Sequence, residues 1–145
     1  MPEHSAPVDA DPRPIGGKVF SLEEANRALP YLSRVVLDIT EVYGQILELR
    51  AELENLDDGE LRNLTEREYE TTMDRLGVLV DELHLAGAEL RDFERGRIDL
   101  PARHAGRPIM FTWTQGEPAI AHWHPADPRD FTPRPVEDLR PAEAA

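Results

Sequence analysis

Three of the five histidines, His104, His122 and His124, fall between residues 99 and 124, in the company of Asp99 and Glu117. His122 and His124 are one residue apart, so on a β-strand both project from one face with Cα atoms about 7 Å apart. That spacing lets two imidazoles meet one divalent transition metal such as zinc. A carboxylate from Glu117 or Asp99 then completes the minimum protein ligand set, and Glu117 is the nearer in sequence. A position left open on the metal holds a water that becomes a nucleophile near neutral pH, which is hydrolase chemistry. Without a metal, Glu117 or Asp99 works with His124 as general base and acid, and Arg103 or Arg107 orients an anionic ligand. Each residue also has a plain structural role open to it. A histidine beside Trp123 packs and gives one hydrogen bond, Asp99 satisfies strand-end amides before Pro101, and Glu117 stabilises its turn. If the site is a surface site, Glu117→Ala and His124→Ala leave stability within about 1 kcal/mol while ligand or metal binding is lost.

Composition narrows the classes of partner. The 145 residues carry 29 acids against 16 lysines and arginines, a net charge of −13. Such a surface repels phosphate, so nucleic acid and anionic membranes are not expected partners. No apolar run approaches the ~20 residues that span a bilayer. The absence of cysteine excludes disulfides, thiol catalysis and Cys-ligated zinc. The opening MPEHSAPVDADPRP lacks the basic stretch and apolar core of an export signal, and a cytoplasmic location is expected.

The residues that could do chemistry must be positioned by the elements around them. Nine of the thirteen prolines lie before Lys18 or after His124. Proline lacks a backbone donor and resists helix continuation, so residues 1–17 and 125–145 read as Pro-rich tails around a single domain, 18–124. The stretch from Pro125 to Leu139 has a second option, to lie along the folded part, because it carries Phe131, Val136 and Leu139.

Ser21 with Glu24 forms a capping box that opens a short helix from Leu22 to about Ala28, and Pro30 suits the first turn of a second helix. One continuous kinked helix is the alternative. Leu32, Val35, Ile39, Val42, Ile46, Leu49, Leu53 and Leu56 then alternate in steps of three and four, a heptad seam. Asp57-Asp58-Gly59 ends it. Thr65 with Glu68 gives a second capping box, followed by a seam of Tyr69, Thr72, Leu76, Leu79, Leu83, Ala86 and Leu90. Two long helices joined by a short loop fold back as an antiparallel, coiled-coil-like hairpin spanning 21–91.

Leu29, Val36 and Tyr43 widen the first stripe toward its start, and Met73, Val80 and Gly87 widen the second. The base of the hairpin therefore needs a cover, which Gly87-Ala88 lets approach closely, while the tip around Asp57 to Glu66 projects into water. Twelve acids against three arginines lie between Asp38 and Asp74. That surface either docks a basic partner or stays solvated. After Leu90 the period changes, and a small antiparallel β-module spans 96–124. Ile98 to Leu100, Pro108 to Thr114 and Ala119 to His124 read as strands, with Gln115-Gly116-Glu117-Pro118 as a turn. Ile109, Phe111 and Trp113 share one face and are the expected cap on the hairpin base. The fold class is α+β, mostly α.

Three segments, FSLEEANRALP from Phe20, GRIDLPARHAGRPIMFTW from Gly96 and GEPAIAHWHP from Gly116, resemble the uncharacterised bacterial family catalogued as domain of unknown function 2203. The resemblance covers about Lys18 to Val136. It implies that Gly96, Asp99, Pro101, Gly116, Glu117, Pro118, Trp123 and His124 are the matching positions. His122 is less characteristic, which shifts weight from a His-x-His chelate toward His124. The family pattern continues with glycine, phenylalanine and then an arginine; here Asp130-Phe131 and Arg134 stand in those places, so the glycine is missing. The resemblance implies a fold and no activity.

Two functions are therefore expected in competition. One is a structural or interaction module that self-associates through its hairpin, for example as a homodimer forming a four-helix bundle, with a further protein partner open. The other is a small metal-binding protein or hydrolase-like enzyme with its site at Asp99, Glu117, His122 and His124.

Overall fold

The computed structural model describes residues 18–139; the two outer parts of the expected tails, 1–17 and 140–145, lie outside them. Helix α1 (Leu22–Glu54) and helix α2 (Glu60–Leu85) precede five strands, β1 (Glu89–Asp92), β2 (Arg97–His104), β3 (Arg107–Thr114), β4 (His122–Pro125) and β5 (Arg134–Pro135). The strands form one antiparallel sheet in the order β1-β2-β3-β4-β5. The architecture is α+β, a long helical pair followed by a small sheet. No helix among the described residues is long and apolar enough to cross a membrane.

The Ser21 capping box forms as the spacing requires: Ser21 Oγ accepts the Glu24 amide at 3.0 Å, and Glu24 Oε1 accepts the Ser21 amide at 2.9 Å. The helix it opens does not stop at Ala28. It runs through the exposed Pro30 as one element of 33 residues, about 50 Å at 1.5 Å per residue. An interior proline costs about 3 kcal/mol. That cost is offset by a stripe buried on both sides of it, from Ala25 and Leu29 to Leu32, Val35 and Val36.

The second capping box is a false signal. Helix α2 starts at Glu60 after Gly59 (φ +149°), and Thr65 lies inside it, buried, with its hydroxyl donating to the Leu61 carbonyl at 2.9 Å. Arg62 closes the loop instead. Its Nη1 donates to the carbonyls of Leu53 and Leu56, each at 2.7 Å, adding a side-chain donor to the C-terminal end of α1 and the loop after it.

The helices run antiparallel, joined near the tip by Arg50 donating to the Tyr69 hydroxyl at 3.4 Å. Near the base, the Tyr31 hydroxyl donates to Glu82 at 2.5 Å. The seam is buried in α1 from Leu32 to Leu49, but in α2 only Leu76 and Leu83 are fully covered, with Tyr69 and Leu79 half-buried. Leu90 leaves the helical seam altogether and belongs to β1. The break comes at Gly87 (φ +99°), where a Cβ would meet Lys18 Cβ and Phe20 Cε1 at 3.1 Å. This is the close approach that the Gly87-Ala88 pair permits.

The sheet caps the hairpin base. Ile98, Leu100 and Ala102 on β2 and Ile109, Phe111 and Trp113 on β3 join Leu29, Val36, Ile39 and Leu83 in one core. Strand β2 runs past Leu100 to His104, carrying Pro101 within it. The proline is tolerated because β1 ends before reaching it, and its carbonyl accepts the Phe20 amide at 2.8 Å. The turn after β1 nests on α1. At Gly96 (φ +75°) a Cβ would lie 2.8 Å from Val36 Cγ1 and 3.0 Å from Thr40 Cγ2. The sheet also continues beyond His124. The β4 strand pairs with β5, the Val136 amide donates to the Ala121 carbonyl at 3.0 Å, and Val136 and Leu139 pack on the core.

Candidate functional site

Alternation along the strands divides the sheet into two faces. Ile98, Leu100, Phe111 and Trp113 point to the helices, so Asp99, Thr112, Met110, His122 and His124 point away. Asp99 on β2 is paired with Thr112 on β3, Thr112 with His122 on β4, and Met110 with His124. The expected placement of His122 and His124 on one strand face is what this register produces. Strand β3 lies between β2 and β4, and the Asp99 and His124 side chains meet over it.

That meeting is closely made. His124 Nε2 lies 2.9 Å from Asp99 Oδ2, with the two residues 1% and 0% exposed. Arg91, on β1, donates through Nε to the same Oδ2 at 2.9 Å and pairs through Nη2 with Glu89 at 2.8 Å. The other ring nitrogen of His124, Nδ1, lies 2.8 Å from the carbonyl oxygen of Pro125. Phe131 covers this cluster, edge-on to the His124 ring at 5.4 Å and beneath the Arg91 guanidinium at 5.9 Å.

The partners fix the chemistry. A carbonyl oxygen and an ionised carboxylate only accept, so each His124 ring nitrogen faces an acceptor, Pro125 on one side and Asp99 on the other. Burial pushes the Asp99 carboxyl up, but the hydrogen bond and charge of His124, and then of Arg91, outweigh it and hold the group below the ordinary aspartate range. Glu89, Arg91, Asp99 and His124 thus form one connected chain of ion pairs and hydrogen bonds across the sheet. Asp99 does not satisfy strand-end amides; it ties β2 to β1 and β4. His124 is no surface residue either, so the expectation that His124→Ala spares stability is withdrawn. One atom is left over: Asp99 Oδ1 is buried with no hydrogen-bond partner.

Glu117 does a different task. Its Oε1 accepts the Thr114 amide at 2.7 Å, its carbonyl accepts Trp113 Nε1 at 2.9 Å, and its amide donates to the Thr114 carbonyl at 3.0 Å. It closes the turn after β3. Its Oε2 faces His122 Nδ1 at 3.7 Å, a half-exposed pair. The four expected site residues therefore fall into two pairs, Asp99 with His124 and Glu117 with His122. Among the described residues no group of three or more His, Cys, Asp or Glu is placed to hold a metal ion.

Residues that sequence reasoning passed over complete the site. Arg91, rather than Arg103 or Arg107, is the arginine joined to Asp99. Arg103 lies four residues along β2, about 13 Å away. Asn26 Oδ1 accepts the Ile120 amide at 2.8 Å, fastening the segment before β4 to α1. Asp130, standing where the resemblance leads one to expect glycine, accepts the Thr132 amide at 3.1 Å and Arg134 Nη2 at 2.7 Å. It shapes the turn that lays Phe131 on His124. An Asx turn needs no glycine, and the Asp at 130 was the available signal.

The sequence model of a family described as an uncharacterised conserved protein, DUF2203, matches residues 18–132. No curated protein and no solved structure matches the chain.

Proposed function

The chain belongs to the DUF2203 family, a premise that brings no activity with it, and from the geometry we propose that it is a protein-interaction module that self-associates through its helical hairpin. The observation that carries this is a row on the outer face of α2. Leu64, Val78 and Leu85 are 48%, 65% and 83% exposed and stand at multiples of seven residues, with Thr71 in the remaining place. A heptad row facing outward is the pattern by which one helix recruits another. Burying each such side chain is worth roughly 1.5–3 kcal/mol. The net charge of −13 disfavours nucleic acid and anionic membranes as partners, and we place the module in the cytoplasm.

Sedimentation equilibrium over a range of concentrations tests the reading. The expected result is a dimer mass that falls to the monomer in Val78→Glu and Leu64→Glu, with helical circular dichroism unchanged. A monomer at every concentration overturns it.

A second reading, a small metal-binding or hydrolase-like protein using Asp99, Glu117, His122 and His124 with an ion such as zinc, has one observation in its favour. A buried carboxylate oxygen without a partner, Asp99 Oδ1, is the kind of atom that a cation or a donor group satisfies. The metal content of untagged protein, beside Glu117→Ala and His122→Ala controls, tests it. Stoichiometric metal lost in folded controls supports this reading, and metal-free protein overturns it.

A further inference from the structure

Resting on the self-association reading, we infer that a second copy docks α2 against α2 in antiparallel orientation, about a two-fold axis at Thr71. The argument starts from the charges beside the exposed row. Three residues after each row position stand Arg67, Asp74 and Asp81, and four residues after stand Glu68, Arg75 and Glu82, along the row's two flanks. Arg67, Glu68, Asp74 and Arg75 are all exposed.

An antiparallel two-fold brings like flanks together with their direction reversed. With the axis at Thr71, Arg67 faces the partner's Asp74 and Glu68 faces the partner's Arg75. Symmetry makes each pair twice, giving four opposite-charge contacts around a core of Leu64 against the partner's Val78. Only Glu60 against the partner's Asp81, at the ends, is like-charged.

Other registers are worse. An axis at Val78 puts Asp74 against the partner's Asp81, and Arg75 against the partner's Glu82 is its one opposite-charge contact. An axis midway between Asp74 and Arg75 sets Asp74 on its own copy, Arg75 on its own copy and Glu68 on Glu82, with Arg67 against the partner's Asp81 its one favourable contact. A parallel pair would bring together two hairpin tips that each carry Glu52, Glu54, Asp57, Asp58 and Glu60 with no intervening base. The antiparallel pair separates those tips by about the length of α2, roughly 39 Å, well beyond the ~8 Å Debye length.

The chain has no cysteine, so introduced thiols report cleanly on this geometry. Under mild oxidation Thr71→Cys forms a disulfide dimer at the axis. Leu64→Cys alone stays monomeric on denaturing gels, and Leu64→Cys mixed with Val78→Cys gives the mixed dimer. Arg67→Glu weakens association roughly tenfold at low salt, and Arg67→Glu/Asp74→Arg restores it. Leu64→Cys dimerising with itself overturns the antiparallel orientation. A dimer in sedimentation with none of these cross-links overturns the choice of α2. A monomer in sedimentation overturns the self-association reading and this inference together.

Discussion

Two carboxylate–imidazole pairs stand side by side on this sheet, built from the same two chemical groups, and they differ in what surrounds them. Asp99 and His124 meet at 2.9 Å with almost no exposure, while Glu117 and His122 face each other at 3.7 Å with their side chains 31% and 45% exposed. His122 and His124 are only two residues apart on one strand. The difference lies in the neighbours. His124 has Pro125 on its second nitrogen, Arg91 beyond its carboxylate and Phe131 over its ring. Glu117 is instead held by the amide of Thr114. Removing either member of the first pair leaves the other without its partner in a dry place, where water cannot replace it. The second pair has water at hand, and an exposed ion pair contributes at most about 1 kcal/mol.

The comparison can be broken in several ways, and the largest effect is expected at Asp99. Asp99→Ala leaves the Arg91 and His124 donors without their shared acceptor and should destabilise the protein by about 3–5 kcal/mol in urea denaturation. A loss under 1 kcal/mol would mean that the cluster is not the strap described above. Next comes acid. The folded-state value of the Asp99 carboxyl is depressed, so its contribution is fully present above the unfolded aspartate value of about 3.9 and is lost as pH falls through the lower folded value. The stability difference between the wild type and Asp99→Asn should therefore narrow below about pH 4; a constant gap would contradict an ionised Asp99.

Phe131→Ala should cost about 1 kcal/mol through its ring contacts with His124 and Arg91. It should also speed hydrogen exchange at β4 relative to β2. Smallest of all, His122→Ala should change stability by less than about 1 kcal/mol. A double-mutant cycle sharpens the contrast: strong coupling between Asp99 and His124, and coupling near zero between Glu117 and His122.

The helical half of the fold was legible because its information is local and periodic. Leu32 to Leu49 repeat every three or four residues, and Ser21 signals its own helix start three residues ahead. Legibility ended where a local rule met a tertiary one. Pro30 reads as a boundary, yet packing of Ala25 and Leu29 carries the helix through it. Thr65 and Glu68 spell a cap, yet Gly59 has already turned the chain and Arg62 donates to the carbonyls of Leu53 and Leu56. Strands β1 and β5 are four and two residues long, too short to show an alternating pattern.

The site was half legible for the same reason. Asp99, Glu117, His122 and His124 were recognisable as types, and strand alternation placed both histidines on one face. Which acid meets which histidine depends on β3 lying between β2 and β4. Arg91 comes from a strand that no pattern revealed. Asn26 reaches Ile120 across 94 positions of sequence, and nothing around Asn26 announces a partner so remote.

The two hydrogen bonds of Arg62 bear on how the chain acquires its shape in time. They join residues six and nine positions apart, a closure that loses little chain entropy, whereas the bond from Asn26 to Ile120 must close a loop of 94 positions. The outer end of the hairpin is therefore free to assemble while its base is still open. The base waits for the last strands to arrive. In pulse-labelling during refolding, amides of residues 46–68 should gain protection ahead of the Ile120 amide, so that the most water-exposed end of the molecule is also the first to take form.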